Sequence, residues 1–377
     1  MALSPQHEMI RDSVRRYARE RLWPQAGRRD REKRFPREAL EGLGAMGLYG
    51  IAVPEDWGGA GLDSTALALA IEEVAAGDGG AATVVAVNNL VAGILAGYGN
   101  ASQKEAYLKP LARGERLAAF ALTEPQAGSD ASALLTRAEK RGAKYVLNGV
   151  KQFITSGKHA NFAVVFAVTD KAAGKKGISA FVVPTSTAGW KVARLEDKLG
   201  QRAYDTAQIA LENCTLEAAQ LLGEEGLGYR IALANLESGR INIAAQAVGI
   251  ARSALGAALE YAKQRTSFGK PLVAHQAVSF RLADMATQIE AARQLYLHAA
   301  ALRDAGEPCL KEASMAKLFA SEMAETVCSD AIQIHGGYGY VADFAVERLW
   351  RDARVCKIYE GANDIQRMLI GRTLAEG

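Results

Sequence analysis

A chain of 377 residues, 49% of them apolar, has room for two or three domains with large buried cores. Its 45 Lys and Arg against 42 Asp and Glu leave a formal charge of +3, which gives no general attraction to nucleic acid or to a membrane surface. Cys214, Cys309, Cys328 and Cys356 lie far apart, without CxxC spacing or a histidine cluster. That pattern indicates neither a zinc site nor a disulfide framework, so reduced thiols in the cytoplasm and no metal are the expectation.

Ser4 followed by Pro5 reads as a helix N-cap and first turn, and Ile10, Val14 and Tyr17 follow at helical spacing. This is the start of a folded helix and not a signal peptide. Basic residues outnumber acidic ones between positions 11 and 37, the pattern of a solvated helix face. Residues 1–118 alternate 3.6-period patterns with loop signals such as VPEDWGGAGLD (53–63), which carries Trp57, and form an all-helical domain. The apolar stretch 81–95 is broken by Asn88, Asn89 and Gly93 and is too short to span a bilayer.

Residues 119–225 form a central β domain, with β-rich runs at 144–154, 161–168, 177–184 and 206–214. Asn148-Gly149 predicts a hairpin turn, because a type I′ turn needs positive φ at both central residues. From residue 226 to 377 the strands give way to long amphipathic helices with Ala-rich faces at 241–259 and 280–302. The fold class is therefore mostly α with a central β domain: N-terminal helices, a β domain, then a helical bundle.

No GxGxxG follows a strand to open a helix, so a Rossmann nucleotide site is not supported. In FALTEPQAGSD (120–130), the hydroxyls of Thr123 and Ser129 and loop amides near Ala127 and Gly128 can donate to ring heteroatoms and phosphate oxygens. The same segment also reads as a β-domain loop closed by Pro125 and Gly128. Arg265 offers a rigid fork of donors suited to pyrophosphate, or a helix end before a Gly-Lys-Pro turn. Glu360 stands between Tyr359 and Gly361, whose missing side chain lets a ligand approach the backbone, although a solvated Glu at a helix terminus has the same sequence. Glu237 and Arg240 also read as a surface helix pair, and Phe153 as a core aromatic.

FALTEPQAGSD, KQFITSG (151–157), RTSFGKPL (265–272), IHGGYGY (334–340) and IYEGANDIQ (358–366) occur in the order found in the acyl-CoA dehydrogenases, which the chain resembles from first helix to last. VNN at 87–89 and KEASMAK at 311–317 are similar to the short-chain and short/branched-chain members, with medium-chain members as the alternative. The resemblance implies a β-barrel-like middle domain, a C-terminal four-helix bundle and a homotetramer. It implies FAD held by Phe120, Leu122, Thr123, Ser129, Phe153, Ile154, Thr155, Ala362, Asn363 and Asp364. It further implies that Arg265, Phe268, Gln276, Gln333, Ile334, His335, Gly336 and Gly337 reach the FAD of a neighbouring chain. Substrate contacts fall on Ser129, Glu237, Arg240, Tyr359 and Gly361.

In the family the catalytic base sits either in the segment matched by Glu360 or at the position matched by Gly239, which has no side chain to titrate. Glu360 is therefore the implied base. The implied reaction is α,β-dehydrogenation of an acyl-CoA to the trans-2-enoyl-CoA, with electrons passed to an electron-transfer flavoprotein. Competing readings are an oxidase of the same fold, disfavoured by the chain length, and a non-catalytic flavoprotein that binds nucleic acid or a partner through its basic N-terminal helices, disfavoured by Glu360. The chain departs from the family pattern at Gln126, usually Gly, and at Phe153, usually Trp. The first adds a Cβ where the backbone could need positive φ, and the second loses an indole N–H.

Overall fold

Ser4 and Pro5 begin the first helix as their chemistry dictates. The Ser4 hydroxyl accepts from the His7 N–H at 3.2 Å, and Pro5 occupies the first turn, where no N–H is needed. The computed structural model describes residues 3–376. Helix α1 (Pro5–Tyr17) runs through a π-helical turn into α2 (Trp23–Glu32), followed by α3 (Arg37–Ala45), α4 (Ser64–Gly77), α5 (Gly79–Tyr98) and the short α6 (Ala101–Gln103) and α7 (Lys109–Ala112). The basic face of the first helices is not all solvated. Arg15 reaches Glu73 on α4 at 2.8 Å, and Arg29 is buried.

Helix α5 has 20 residues, so it is long and apolar enough to cross a membrane, contrary to the shorter run read from the sequence. It is instead a core helix whose apolar surface is mostly covered by protein. Its two asparagines join it to neighbouring segments: Asn88 Oδ1 accepts from the Ala118 N–H at 2.9 Å, and Asn89 Oδ1 from the Ile51 N–H at 3.2 Å.

The β domain contains β1 (Ala118–Ala121), β2 (Arg137–Arg141), β3 (Lys144–Thr155), β4 (Phe162–Val168), β5 (Ile178–Pro184), β6 (Trp190–Leu195), β7 (Thr206–Glu217) and β8 (Leu221–Leu222). The sheet order is β6-β7-β3-β2-β4-β5-β8, with β1 parallel to β4. Asn148-Gly149 is not the hairpin turn. The hairpin closes between Arg141 and Lys144, at Gly142 with φ +61°, and β3 continues through 148–149, where its register against β7 shifts. The glycine is needed there for a different reason: a Cβ on Gly149 would collide with the Thr136 backbone and hydroxyl where the chain crosses. Asn148 Oδ1 accepts from the Asn213 N–H on β7 at 2.8 Å.

Helix α8 (Gly228–Gln264) has 37 residues and packs against α4, α5, α9 (Gln276–Asp304) and α10 (Leu310–His335). Small residues permit that close packing: Ala244, Ala247, Ala251 and Ala254 of α8 are fully buried, as are Ala313, Ala316, Ala320 and Ala324 of α10. Strand structure does not end at residue 226. A two-residue ladder, β9 (Thr266–Ser267) with β10 (Lys270–Pro271), turns the chain between α8 and α9. Helices α11 (Ala345–Ala353) and α12 (Asn363–Glu376) complete the fold and flank the loop that carries Glu360.

Candidate active site

Glu360 sits at φ +52°, in the left-handed region that non-glycine residues seldom occupy, and Gly361 follows at φ +88°. Two side chains hold this turn. Gln366 Nε2 donates to the carbonyls of Glu360 at 3.3 Å and Gly361 at 2.9 Å, and Lys317 Nζ on α10 donates to Gly361 O at 2.8 Å. The turn points the carboxylate at α8, where a Cβ on Gly239 would overlap Glu360 Oε2. The missing side chain at 239 thus makes room for the acid at 360.

Glu360 Oε2 is buried and has no hydrogen-bond partner among the described residues. Desolvation pushes the carboxyl up to about 7, although the charges of Arg240 and Lys317 pull it down. Arg240 is buried on α8, with its Nε likewise unpartnered. Glu237, one turn earlier, accepts from the Cys309 thiol at 2.6 Å, so it is not one half of a surface ion pair with Arg240. Tyr359 turns away from the acid: its hydroxyl donates to Gln246 Oε1 at 2.7 Å within a buried polar network that includes Thr83 and Gln201. Cys214, Cys309, Cys328 and Cys356 are free and buried, and no metal-ligating cluster occurs among the described residues.

A second group of residues lies along β1, β3 and the loop between β1 and β2. The hydroxyls of Thr123, Ser129 and Thr155 make no hydrogen bond with any described residue, and Ser129 is exposed. Phe153 sits at a β-bulge with φ +58° and 62% exposure, a strained position for an aromatic that has nothing to cover it. Phe120 is half-buried, edge-on to Phe166 at 5.2 Å. Leu122 and Ile154 are buried in the cores, and their carbonyls accept from Lys151 Nζ and the Gly157 N–H at 3.1 Å each. Gln126 is outside the positive-φ region, and its Nε2 donates to Glu124 Oε2 at 2.8 Å, so the added Cβ is accommodated.

The third group surrounds the far ends of α8 and α10. A cleft of about 700 Å³ is lined by Arg265, Tyr261, Ile334, His335, Gly336 and Gly337, among others. Arg265 lies over the Tyr338 ring at 5.7 Å and makes no ion pair among the described residues. Phe268 is 94% exposed at φ +50°, Gln276 and Gln333 are exposed, and a Cβ at Gly336 or Gly337 would meet open space. Ile334 and His335 turn their side chains inward, the latter stacked on Tyr261 at 4.3 Å. From Arg240 to Arg265 the helical rise of α8 amounts to roughly 37 Å, so this cleft is far from Glu360 of the same chain.

Of the residues next to Glu360, Asn363 is buried and bonded to Lys317 and Ser321, which leaves Ala362 half-buried and Asp364 exposed. The sequence reading assigned no role to Lys317, Gln366, Gln246, Lys151 or Glu124. Lys317 had a visible signal: it is a lysine on the same face as Ala313, Ala316 and Ala320, where an Ala-rich helix should be buried.

Three domain families match in chain order: acyl-CoA dehydrogenase N-terminal domain over residues 4–115, middle domain over 119–214 and C-terminal domain over 226–375. The chain belongs to the acyl-CoA dehydrogenase family. The human mitochondrial short-chain specific acyl-CoA dehydrogenase is 46% identical over 365 residues, covering 97% of this chain and 89% of that protein. Butyryl-CoA dehydrogenase from Megasphaera elsdenii superposes with a TM-score of 0.97 at 41% identity, covering 100% of this chain and 99% of the other. A chain from a structure of the electron transferring flavoprotein of Acidaminococcus fermentans has a TM-score of 0.98 and 44% identity, with both chains covered in full.

As an acyl-CoA dehydrogenase, the protein is a flavin-dependent oxidoreductase with FAD as its cofactor. Its donor set fits that group. Unpartnered hydroxyls at 123, 129 and 155 and an uncovered aromatic at 153 suit a flat heteroaromatic ring, while Arg265 and the open glycine backbone at 336–337 suit phosphate.

Proposed function

We propose that this enzyme oxidises short-chain or branched short-chain acyl-CoA thioesters to trans-2-enoyl-CoA, with Glu360 as the base. The observation that carries the reading is the unpartnered, desolvated Glu360 carboxylate in the space left by Gly239. FAD, when bound, supplies the oxidant that takes the hydride from the β-carbon. Glu360 accepts the α-proton, and the electron pair of that C–H bond becomes the new Cα=Cβ bond. A carboxylate in water is too weak a base for this step, and burial that raises its proton affinity to about 7 brings it closer to the task. Arg240 and Lys317 keep enough of it ionised near neutral pH to act.

The wide separation between Glu360 and the Arg265 cleft supports a shared cofactor site, in which one chain presents Thr123, Ser129, Phe153 and Thr155 and its neighbour presents Arg265, Gln276 and Gly336. A homotetramer with an electron-transfer flavoprotein as acceptor fits this arrangement, and the free thiols suit a reducing cytoplasm.

The test is a panel of acyl-CoA thioesters from C4 to C16 with isobutyryl, 2-methylbutyryl and isovaleryl members, assayed with an artificial acceptor and with electron-transfer flavoprotein. Turnover should peak among the short chains, and a maximum at C8 or beyond would overturn the substrate assignment. In rapid mixing with butyryl-CoA, Glu360→Gln should bind substrate and lose flavin reduction by several orders of magnitude. A near-wild-type rate in that variant would place the base elsewhere.

A further inference from the structure

Lys317 is fully buried on α10, yet no carboxylate forms an ion pair with it among the described residues. An ammonium group so placed pays a desolvation cost that only its hydrogen bonds and nearby charges offset. All of its visible bonds go to one short segment, the carbonyl of Gly361 at 2.8 Å and Asn363 Oδ1 at 2.9 Å, and both acceptors flank the left-handed turn at Glu360. We propose that Lys317 is a positioning residue for Glu360: it clamps the turn that aims the carboxylate past Gly239, and its charge holds that carboxylate ready to act as base. The inference rests on the reading of Glu360 as the base.

Geometry and charge are separable here. Gln366 Nε2 donates to the same Gly361 carbonyl at 2.9 Å, so the clamp has two members, of which only Lys317 is charged. Arg240 from α8 and Lys317 from α10 are the charged groups that act on Glu360; Glu237 lies beside Arg240, Glu322 and Cys356 lie beside Lys317, and Tyr359 of the same loop turns its hydroxyl away toward Gln246. Burial pushes Cys356 up to about 11, so it is neutral near pH 7, and Tyr359 is held neutral in the same way. Arg240 and Lys317 are therefore the two cations that favour the ionised acid. Burial lowers Lys317 to about 8, which leaves it mostly protonated at pH 7.

The experiment follows the rate of flavin reduction by butyryl-CoA from pH 5.5 to 9 (roughly the span around both titrations), in wild type, Lys317→Gln, Lys317→Met and Gln366→Met. Infrared titration of the Glu360 carboxyl band, identified by its loss in Glu360→Gln, gives the same proton affinity without turnover. Lys317→Gln keeps a donor but no charge, and its acid limb and carboxyl titration should move to higher pH by about one unit, a tenfold change in proton affinity. Lys317→Met should show the same displacement together with a lower plateau rate. Gln366→Met should lower the plateau and leave the limb in place.

Unmoved titrations in both Lys317 variants would overturn the inference. If neither variant accumulates as folded, FAD-loaded protein, Asn363→Asp decides: a carboxylate beside Lys317 offsets its charge, so the limb must again move to higher pH, and an unmoved limb overturns it. The Glu360→Gln control separates the two readings. Near-wild-type reduction in that variant removes the base assignment and this inference with it, whereas an inactive Glu360→Gln with unmoved Lys317 titrations removes the inference alone.

Discussion

Glu360 combines two unfavourable features in one residue, a left-handed backbone without glycine and a carboxylate with a buried, unpartnered oxygen. The sign of the second follows from linkage. A carboxyl raised to about 7 in the folded protein binds a proton over a range where the unfolded chain, near 4.5, has released it. Stability from this group is therefore greatest below the unfolded value and declines as pH rises toward 7. Glu360→Gln removes the ionisable group, so the variant should gain up to roughly 3 kcal/mol over wild type at pH 8 and little at pH 4.5. Thermal denaturation of both proteins across that range measures it; equal pH dependence would mean that the acid is not desolvated as described. At the facing position, Gly239→Ala should displace the carboxylate and lower flavin reduction by tenfold or more, on the order of 1.4 kcal/mol in the barrier, with FAD content unchanged. Glu360 stood out in the sequence as the candidate base because only one of the family's two alternative positions carries an acid. That Gly239 and Glu360 face each other was not legible, since a contact between distant segments leaves no local pattern.

Strand β3 shows how an element can be read correctly while its details are missed. The β-rich run KYVLNGVKQFI marked strand structure, but Asn-Gly suggested a turn within it because local chemistry cannot reveal that Thr136 crosses above Gly149. The same strand holds Lys151, fully buried, which donates to Glu124 Oε1 at 2.7 Å and Leu122 O at 3.1 Å. Glu124 also accepts from the N–H groups of Leu135 and Thr136 at 2.7 and 3.1 Å. Burial pulls Lys151 down to about 8, while on Glu124 the pull of Lys151 and these bonds outweighs burial and holds it below the usual carboxylate range, so the pair is charged at neutral pH. It ties together the segments that present Thr123 and Phe153. Lys151→Met should leave Glu124 buried without its cation, at a cost of about 3 to 5 kcal/mol in stability. It should also loosen FAD, read as flavin lost on dilution. Adding Glu124→Gln should recover part of the stability, because a neutral pair no longer strands a charge. If the single variant melts with wild type and keeps its flavin, the pair does not hold the cofactor segments.

On the scale of the whole molecule, buried charge also joins the domains. Glu72 and Glu73 of α4 meet Arg252 of α8 at 2.7 and 2.5 Å, Arg293 of α9 binds Glu72 at 2.6 Å, and Arg15 of α1 binds Glu73 at 2.8 Å. Helices from before and after the β domain therefore share one ionic cluster, which helps fix the relative placement of α4 and α8 and hence the wall that carries Gly239 and Arg240. The three-part order of helices, strands and helices was visible in hydrophobic period alone, but ion pairs between remote helices have no such signature. The length of α8 separates Glu360 from Arg265 within one chain. If each flavin takes Glu360 from one chain and Arg265 from its neighbour, two defective chains can repair each other. Glu360→Gln should be inactive. Arg265→Glu, which sets a carboxylate against phosphate, should be largely empty at limiting FAD. Co-expressed with different tags and purified through both, the mixed oligomer should regain activity, because Glu360 of the second chain then works beside Arg265 of the first. Mixed oligomers that form and stay inactive would show that Arg265 does not serve the neighbour's flavin.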